Sequence, residues 1–517
     1  MSNPPLITLL TFLPLIGGLV VIGLKPGNAL AGRRIALCFS LASLVLACVL
    51  RAGFDTNFVG IQLGERHEWI QALSVQYHVG VDGLGLLMVM LTGIVVPLSL
   101  MASSDIKERV PLYCGLVLFL QTGLYGTFTA LDFFHWFLFW ELSLVPAFFL
   151  IRLWGGPQRA SAATRFFVYT MVGSIALLLS ILAVYLAAGT FDFLRLGEMA
   201  RDGSLSQMLA AKLAWTGLNA YQLALLVFAG AFLGFAVKVP LVPFHSWLPL
   251  AYAEAPSSTT MLLTGLMSKM GVYGFLRILV PIFPEQMRSL QTPLLWLAVL
   301  TIVFSAGAAF AQRDLKRIFA FSSINHLGYC LLGVFAVAAG ANSAGAMTVH
   351  QEAAVSGVML QMFNHGLTAA VLFWFVVILE QRSGGLRCID DFGGLRKAAP
   401  VLCGFMGIAL FSSLGLPGLN GFVSEFLIFR GVFPLAGWAA ALSLLGLLIT
   451  AVFLLTLMQR VFHGPLNEKW SGFQDLTTWE RALLTPPLLL MLLLGVWPQL
   501  ALGVLGTTVI QLASWFK

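Results

Sequence analysis

Apolar runs of about twenty residues recur along the whole chain, and this feature restricts its fold more than any other. A helix needs about 20 residues, at about 1.5 Å each, to cross the roughly 30 Å hydrocarbon layer of a bilayer. The runs are continuous rather than short and alternating, which excludes an outer-membrane β-barrel. We therefore predict an all-α polytopic membrane protein of about 14 transmembrane helices. The predicted spans lie near residues 5–24, 35–51, 84–103, 110–130, 133–153, 163–188, 221–245, 258–279, 290–311, 315–339, 353–380, 399–430, 433–463 and 482–502.

The side-chain composition agrees with a lipid environment. Of the 517 residues, 59% are hydrophobic and 10% are charged, whereas about a quarter of the residues in soluble domains are charged. Soluble domains, disorder and a nucleic-acid-binding role are therefore excluded. The six cysteines show no CxxC spacing, so we predict no metal site, no Fe–S cluster and no disulfide framework. They are Cys38, Cys48, Cys114, Cys330, Cys388 and Cys403.

The basic residues are distributed unevenly between the two sets of loops. Loops after odd-numbered spans hold 18 of the 29 Lys and Arg residues, and loops after even-numbered spans together with the termini hold 9. By the positive-inside rule, the odd loops are cytoplasmic and both termini lie on the outer side. No transit peptide is apparent, which favours a bacterial plasma membrane or an organelle-encoded product. Of the two, we expect a multi-pass protein of a bacterial plasma membrane.

Two segments between spans are long enough to have a structure of their own. Residues 189–216 mix charged and apolar side chains, which suits a short helix on the membrane surface or an ordinary connecting helix. Residues 52–82 have the composition of a solvated loop. We divide the chain into N-terminal helices (1–109), a first half (110–280, spans 4–8), a second half (290–463, spans 9–13) and a C-terminal helix with its tail (464–517).

Four ionisable residues fall well inside apolar spans. Each charged side chain at that depth costs about 2.5–3.5 kcal/mol, so these residues must be paired, hydrated or neutral. A buried ion pair that only locks helices together is one explanation, although apolar replacements of such pairs are often as stable. A functional role is the other explanation, and we favour it. The four residues are Glu141, Lys238, Lys269 and Glu425.

Two spans are interrupted close to these charges. Pro240, Pro243 and Pro249 follow Lys238, so the seventh helix cannot continue normally. In the twelfth span, a stretch rich in glycine and proline, LGLPGLNG, precedes Glu425. Broken helices at corresponding places in two halves indicate an ion pathway, because freed backbone groups are tolerated only beside water or protein.

Two histidines also lie within spans. His326 occurs in SSINHLGY and His365 in QMFNHGLT. A histidine exchanges its proton near neutral pH and suits a proton relay. A neutral imidazole hydrogen-bonded inside a helix bundle is the alternative for each of them.

These segments together resemble a known family. The motifs are WELSLVPAFF, AVKVPLVPFHSWLP, QRDLKRIFAFSSINHLGY, MFNHGLTAA and LGLPGLNGFVSEF. The chain is similar, over about residues 80–500, to the antiporter-like subunits of the proton-pumping NADH:quinone oxidoreductase, respiratory complex I. Within that family it looks most like the M type, the counterpart of mitochondrial subunit 4, because Glu425 stands where the L and N types have lysine.

The resemblance implies a fold, a pathway and partners. It implies fourteen helices with two inverted five-helix units, spans 4–8 and 9–13, in which helices 7 and 12 are broken. It implies no cofactor or redox centre in this chain. Other membrane-arm subunits, including neighbouring antiporter-like subunits, would be its partners, and quinone and NADH would bind only to those partners. The implied proton-transfer residues are Glu141, Lys238, Lys269, His326, His365 and Glu425.

One departure from the family pattern lies after the broken seventh helix. The family reads WLPDAH, whereas this chain reads WLPLAYAEAP. Leu250 and Tyr252 thus replace an aspartate and a histidine, and Glu254 is the candidate substitute for proton entry.

The working hypothesis from the sequence is a proton pump driven by quinone reduction in partner subunits. In it, Glu141 forms an ion pair with Lys238, and weakening of the pair releases a proton toward Lys269. A subunit of a related cation/proton antiporter, membrane-bound hydrogenase or photosynthetic dehydrogenase complex is an alternative. A stand-alone secondary transporter and a structural scaffold are further alternatives.

Overall fold

The structure is a computed structural model that describes residues 4–338 and 348–514. Its N-terminal part consists of three membrane helices and one β-hairpin. The hairpin lies between the second and third helices, and its two strands are antiparallel. The elements are α1 (Leu6–Ile22), α2 (Ala29–Ala52), β1 (Gln62–Ile70), β2 (Val75–Val81) and α3 (Gly83–Ala102).

The first half contains the first interrupted span. Two short helices, α7 and α8, fill the long segment after the sixth span, and α9 and α10 are the two parts of the interrupted seventh. The elements are α4 (Val110–Thr129), α5 (Phe133–Trp154), α6 (Arg159–Ala188), α7 (Phe193–Arg201), α8 (Ser204–Lys212), α9 (Ala220–Lys238), α10 (Trp247–Glu254) and α11 (Ser257–Ile282).

The second half and the C-terminal part complete the bundle. The interrupted twelfth span forms α16 and α17. The elements are α12 (Pro284–Ser289), α13 (Gln291–Phe310), α14 (Leu315–Val337), α15 (Val349–Ser383), α16 (Pro400–Leu414), α17 (Asn420–Leu435), α18 (Gly437–Phe462), α19 (Thr478–Val496) and α20 (Gln499–Ser514).

The predicted fold class is confirmed. Among the described residues, twelve helices are long and apolar enough to cross a membrane. The first predicted span corresponds to the shorter helix α1, and the twelfth corresponds to the pair α16 and α17, which brings the number to the predicted fourteen. Residue 339, where the tenth span was predicted to end, lies outside the described residues. The division of the chain into four parts stays a prediction.

Two features were not predicted. Residues 62–81 form a hairpin, so the expectation of a solvated loop over 52–82 was wrong for most of its length. The hairpin is held to the start of α1 because the Glu65 carboxylate accepts hydrogen bonds from the backbone N–H groups of Ile7 and Thr8. The second feature is α20, which follows the predicted last span.

Aspartates fix the starts of several helices. An aspartate before the first turn accepts hydrogen bonds from backbone N–H groups that have no partner within the helix. Four helices, α3, α5, α7 and α14, begin in this way, so the sequence sets where each helix enters the bundle. The capping residues are Asp82, Asp132, Asp192 and Asp314.

The break in the seventh span lies where the prolines predict it. Helix α9 ends at Lys238, and α10 begins nine residues later at Trp247. The freed backbone groups find side-chain partners: the Trp247 indole donates to the Val237 carbonyl at 3.0 Å, and Thr301 Oγ1 accepts from the Val242 N–H at 3.1 Å. Lys238 therefore lies at a helix C-terminus inside the bundle, where exposed carbonyls favour a cation.

The break in the twelfth span places Glu425 against a glycine turn. Helix α16 ends at Leu414, and Gly415 follows with φ of +79°, a conformation that favours glycine. A Cβ atom on Gly415 would lie 2.9 Å from Glu425 Oε2. The turn therefore leaves room for the carboxylate that α17 carries.

Helix α11 is α-helical except for two π-helical stretches on either side of Lys269. These are Leu263–Met267 and Phe275–Leu279. π-Helical turns are rare and are found frequently at functional sites. The central apolar stretches of α11 and α15 are buried within the protein, so the side chains between them face protein rather than lipid.

Asp192 connects the hairpin to the surface helix α7. Its Oδ2 lies 3.1 Å from His78 Nδ1 and 3.6 Å from Arg66 Nη2. Burial raises the pKa of the Asp192 carboxyl, but hydrogen bonds from His78 and Arg195 and the Arg66 charge lower it overall. The resulting stabilisation is therefore complete above the ordinary pKa near 4 and is lost as pH falls through the lowered folded-state value.

We predict that Asp192→Asn loosens the hairpin. The variant loses a charge-assisted contact, and we expect backbone amides of residues 62–81 to exchange with deuterium about fivefold faster. Hydrogen–deuterium exchange mass spectrometry on the detergent-extracted protein measures this. Asp202→Asn, at an exposed residue just after α7, should leave hairpin exchange unchanged. Equal rates in wild type and Asp192→Asn would contradict the prediction.

Candidate functional site

The six residues predicted from the sequence lie on six different helices. Helices α5, α9 and α11 belong to the first half, and α14, α15 and α17 to the second. In chain order they carry Glu141, Lys238, Lys269, His326, His365 and Glu425.

Lys269 and His365 are in direct contact at the centre of the molecule. The Lys269 side chain is 0% exposed. Its Nζ lies 2.8 Å from His365 Nδ1 and 3.2 Å from Ser268 Oγ, and it donates to the Thr264 carbonyl. The contact joins the first half of the chain to the second.

His365 leads to His326 and from there to Glu425. The two imidazole rings have centroids 4.9 Å apart. His326 Nδ1 lies 2.9 Å from Glu425 Oε1, and His326 Nε2 lies 3.1 Å from Ser413 Oγ. Lys269, His365, His326 and Glu425 therefore form a continuous row of titratable side chains, which we call the inner row.

A polar stripe on α15 supports the inner row, and the sequence analysis missed it. Gln361 Nε2 lies 3.4 Å from both His326 Nδ1 and Glu425 Oε1. Asn364 donates to the Asn420 carbonyl at the start of α17, at 2.7 Å. The signal was available: Gln361, Asn364, His365 and Thr368 follow the spacing of one helix face within an apolar span.

The predicted ion pair between Glu141 and Lys238 is not formed. No N···O contact of 4.0 Å or less joins them, although the Glu141 charge acts on Lys238 through space. Lys238 Nζ instead lies 4.8 Å from the ring centroid of Trp140. The expectation failed because residue spacing places Glu141 on the correct helix but does not determine the direction of its side chain.

Helix α11 packs closely against the end of α9 near these two lysines. A Cβ atom on Gly271 would lie 3.0 Å from the Val239 nitrogen and 3.1 Å from the Phe235 carbonyl oxygen. In the described part of the chain, no hydrogen bond connects Lys238 to Lys269. Lys238 and Glu141 are thus separated from the inner row, whereas the four residues of the inner row lie next to one another.

Glu254, the candidate substitute at the family's entry motif, lies at a charged cleft. The cleft has a volume of about 310 Å³. Glu254 is buried, and its Oε2 accepts from the Gln158 N–H at 2.8 Å. Tyr252 is buried within the protein, and Leu250 is partly buried. The other ionisable residues of the cleft are Asp105, Lys316, Glu380 and Arg387.

Two further ion pairs within or at the ends of spans escaped the sequence analysis. Arg277 is paired with Asp82, the residue that caps α3, and both are buried. Lys316 Nζ lies 3.3 Å from Glu380 Oε1. The four residues lie near the ends of predicted spans, where charged side chains are common. The two ion pairs therefore become visible only from the packing of helices that are distant in sequence.

The site has the groups needed for acid–base chemistry. Lysine, histidine and carboxylate side chains donate and accept protons, and contacts near 3 Å are within the range of direct transfer. Among the described residues, no group of three or more His, Cys, Asp or Glu side chains is arranged to hold a metal ion. The inner row can therefore pass a proton between α11 and three helices of the second half, α14, α15 and α17.

Comparison with known proteins gives consistent matches. The family model described as NADH:quinone oxidoreductase/Mrp antiporter, TM, matches residues 130–452. NADH-quinone oxidoreductase subunit M of Rhodobacter capsulatus is 35% identical over 514 residues, covering 98% of this chain and 96% of that relative. F(420)H(2) dehydrogenase subunit M of Methanosarcina mazei is also 35% identical, covering 96% and 95%.

A solved structure agrees over the full length. A chain of respiratory complex I from Thermus thermophilus superposes with a TM-score of 0.84 at 29% identity, covering 99% of this chain and 100% of that chain. The predicted resemblance is therefore confirmed at the levels of sequence and fold. The chain belongs to the NADH:quinone oxidoreductase/Mrp antiporter family of transmembrane subunits.

Proposed function

We propose that the chain is a proton-translocating membrane-arm subunit of an NADH:quinone oxidoreductase. The observation that carries the proposal is the inner row, because its four titratable groups are buried and lie in succession. A purely structural role gives no reason for this order, since apolar side chains pack at least as well.

From α11 into the second half, the proton moves along the inner row. Lys269 passes a proton to His365, which shares an ammonium hydrogen bond with it at 2.8 Å. The proton reaches His326 across the 4.9 Å between ring centroids and then the Glu425 carboxylate.

In the first half, Lys238 and Glu141 control delivery to that row. Lys238 is a buried cation whose charge is costly unless it is paired. Movement of its ammonium toward Glu141 stabilises the bound proton, and movement away favours release toward Lys269. Because no hydrogen bond joins Lys238 to Lys269 among the described residues, this transfer needs a side-chain movement or water.

Partner subunits supply the energy for this movement. We propose that quinone and NADH bind in those partners and that this chain contributes acid–base groups alone. Exposed apolar faces on α1, α6, α18 and α19 face lipid or neighbouring membrane subunits; examples are Leu19, Leu179, Leu448 and Leu489. Both chain termini are assigned to the outer side of the membrane from the distribution of basic residues.

The similarity to a subunit of another dehydrogenase favours a second candidate function, in which the electron donor is different. The Methanosarcina mazei relative, named an F(420)H(2) dehydrogenase subunit, is as similar to this chain as the Rhodobacter capsulatus relative. A different electron donor is therefore compatible with the same membrane subunit. Mild detergent purification followed by mass spectrometry decides between them: we expect the subunits of an NADH dehydrogenase module, whereas an F420-oxidising subunit would establish the alternative.

We predict that Glu141→Gln and Lys238→Ala each abolish proton pumping in the assembled enzyme. Each variant removes one member of the pair that controls delivery, and quinone reduction should slow at least tenfold. Proton uptake and quinone reduction are measured in sealed vesicles. Glu108→Gln and Lys212→Ala change exposed residues and serve as matched controls. Wild-type pumping in either of the first two variants would refute the proposed function.

We further predict that His365→Leu interrupts the inner row. Leucine has a volume similar to that of histidine but carries no titratable group. The variant therefore lacks the residue that connects Lys269 to His326 in the inner row, and proton pumping should fall at least tenfold. His350→Gln, on the exposed start of the same helix, is the matched control and should pump normally. The same vesicle assay applies, and an equal effect of both substitutions would show that the row is not the route.

A further inference from the structure

The Lys238 ammonium lies over an aromatic ring. Lys238 Nζ lies 4.8 Å from the ring centroid of Trp140, within the roughly 6 Å over which cations are attracted to ring faces. Both side chains are buried, at 3% and 2% exposure, and this attraction is stronger where water is excluded.

Trp140 is held firmly in place by its surroundings. Its indole N–H donates to Ser174 Oγ at 3.0 Å. Trp136 stacks on it with centroids 4.8 Å apart, and Phe235 packs edge-on at 5.8 Å. The hydrogen bond at the ring edge and the neighbouring aromatic rings therefore hold the Trp140 ring in one position, and the Lys238 ammonium contacts a rigid ring face.

Glu141 is the next residue on the same helix. Its Oε1 is buried and has no hydrogen-bond partner among the described residues, and its charge acts on Lys238 without contact. Two consecutive residues of α5 therefore offer alternative positions for one ammonium group. One position is a ring face and the other is a carboxylate.

We propose that Trp140 is a positioning residue that holds the Lys238 ammonium away from Glu141. The inference rests on the proposed function and deepens it. A buried lysine–carboxylate pair without a competing partner would be long-lived, because low polarity strengthens the attraction. The ring face gives the Lys238 ammonium a second stable position besides the one next to the Glu141 carboxylate. Lys238 can then exchange between the two positions during each transfer.

Stepwise fluorination of Trp140 tests this proposal. Fluorine atoms withdraw electron density from the ring face and weaken cation binding with little change of shape. Site-specific incorporation of mono-, di- and trifluorotryptophan at position 140 of the assembled enzyme should lower coupled proton pumping in steps, by about fivefold over the series. The same stepwise decline in pumping should be seen when Ser174→Ala is also present, because that substitution removes the partner of the indole N–H but does not change the ring face.

The same fluorinated series at Trp374 is the control. Trp374 is a buried tryptophan on α15, and among the described residues no Lys or Arg side chain lies over its ring, so pumping should stay constant across that series. Constant pumping at position 140, or an equal decline at both positions, would overturn the role of Trp140. Because Lys238→Ala tests the proposed function separately, a flat series beside an inactive Lys238→Ala would remove this inference and leave the proposed function standing.

Discussion

The cost of burying ionisable groups in an apolar bundle governs this structure. Each buried charge needs a partner, a hydrogen bond or a neutral state, and the fold provides these in several ways. Broken helices place helix ends inside the bundle, where the Trp247 indole, for example, satisfies the freed Val237 carbonyl. Glycine at position 415 leaves space for the Glu425 carboxylate. These features are consistent with a fold shaped around its polar interior.

The two halves stabilise their buried ionisable groups in different ways. Where α11 of the first half packs against the second half, Lys269, His365, His326 and Glu425 satisfy one another within hydrogen-bond or ring-contact distance. In the first half, Lys238 rests against a ring and Glu141 retains an unpaired oxygen. A connected row of titratable groups transfers protons readily. Where the groups are separated, as Lys238 and Glu141 are, movement of one side chain can start or stop the transfer. We infer that the first half controls delivery and the second half conducts.

The sequence predicted the helical fold, both breaks and the residues of the inner row, because proline, glycine and buried charge each have a strong local signature. It did not predict side-chain direction, which is why the Glu141–Lys238 contact was expected wrongly. The π-helical stretches around Lys269 and the Asp82–Arg277 pair depend on packing between distant segments. The hairpin was missed because the charged residues of β1 were interpreted as loop.

In the function that we propose, a proton passes from Lys238 through Lys269 to Glu425. An electron cryomicroscopy map of the assembled complex, at a resolution that shows ordered water, tests this route directly. We expect water between Lys238 and Lys269 in at least one state of the enzyme, together with an unbroken row from Lys269 to Glu425. Tightly packed apolar side chains without water between the two lysines in every state would contradict it.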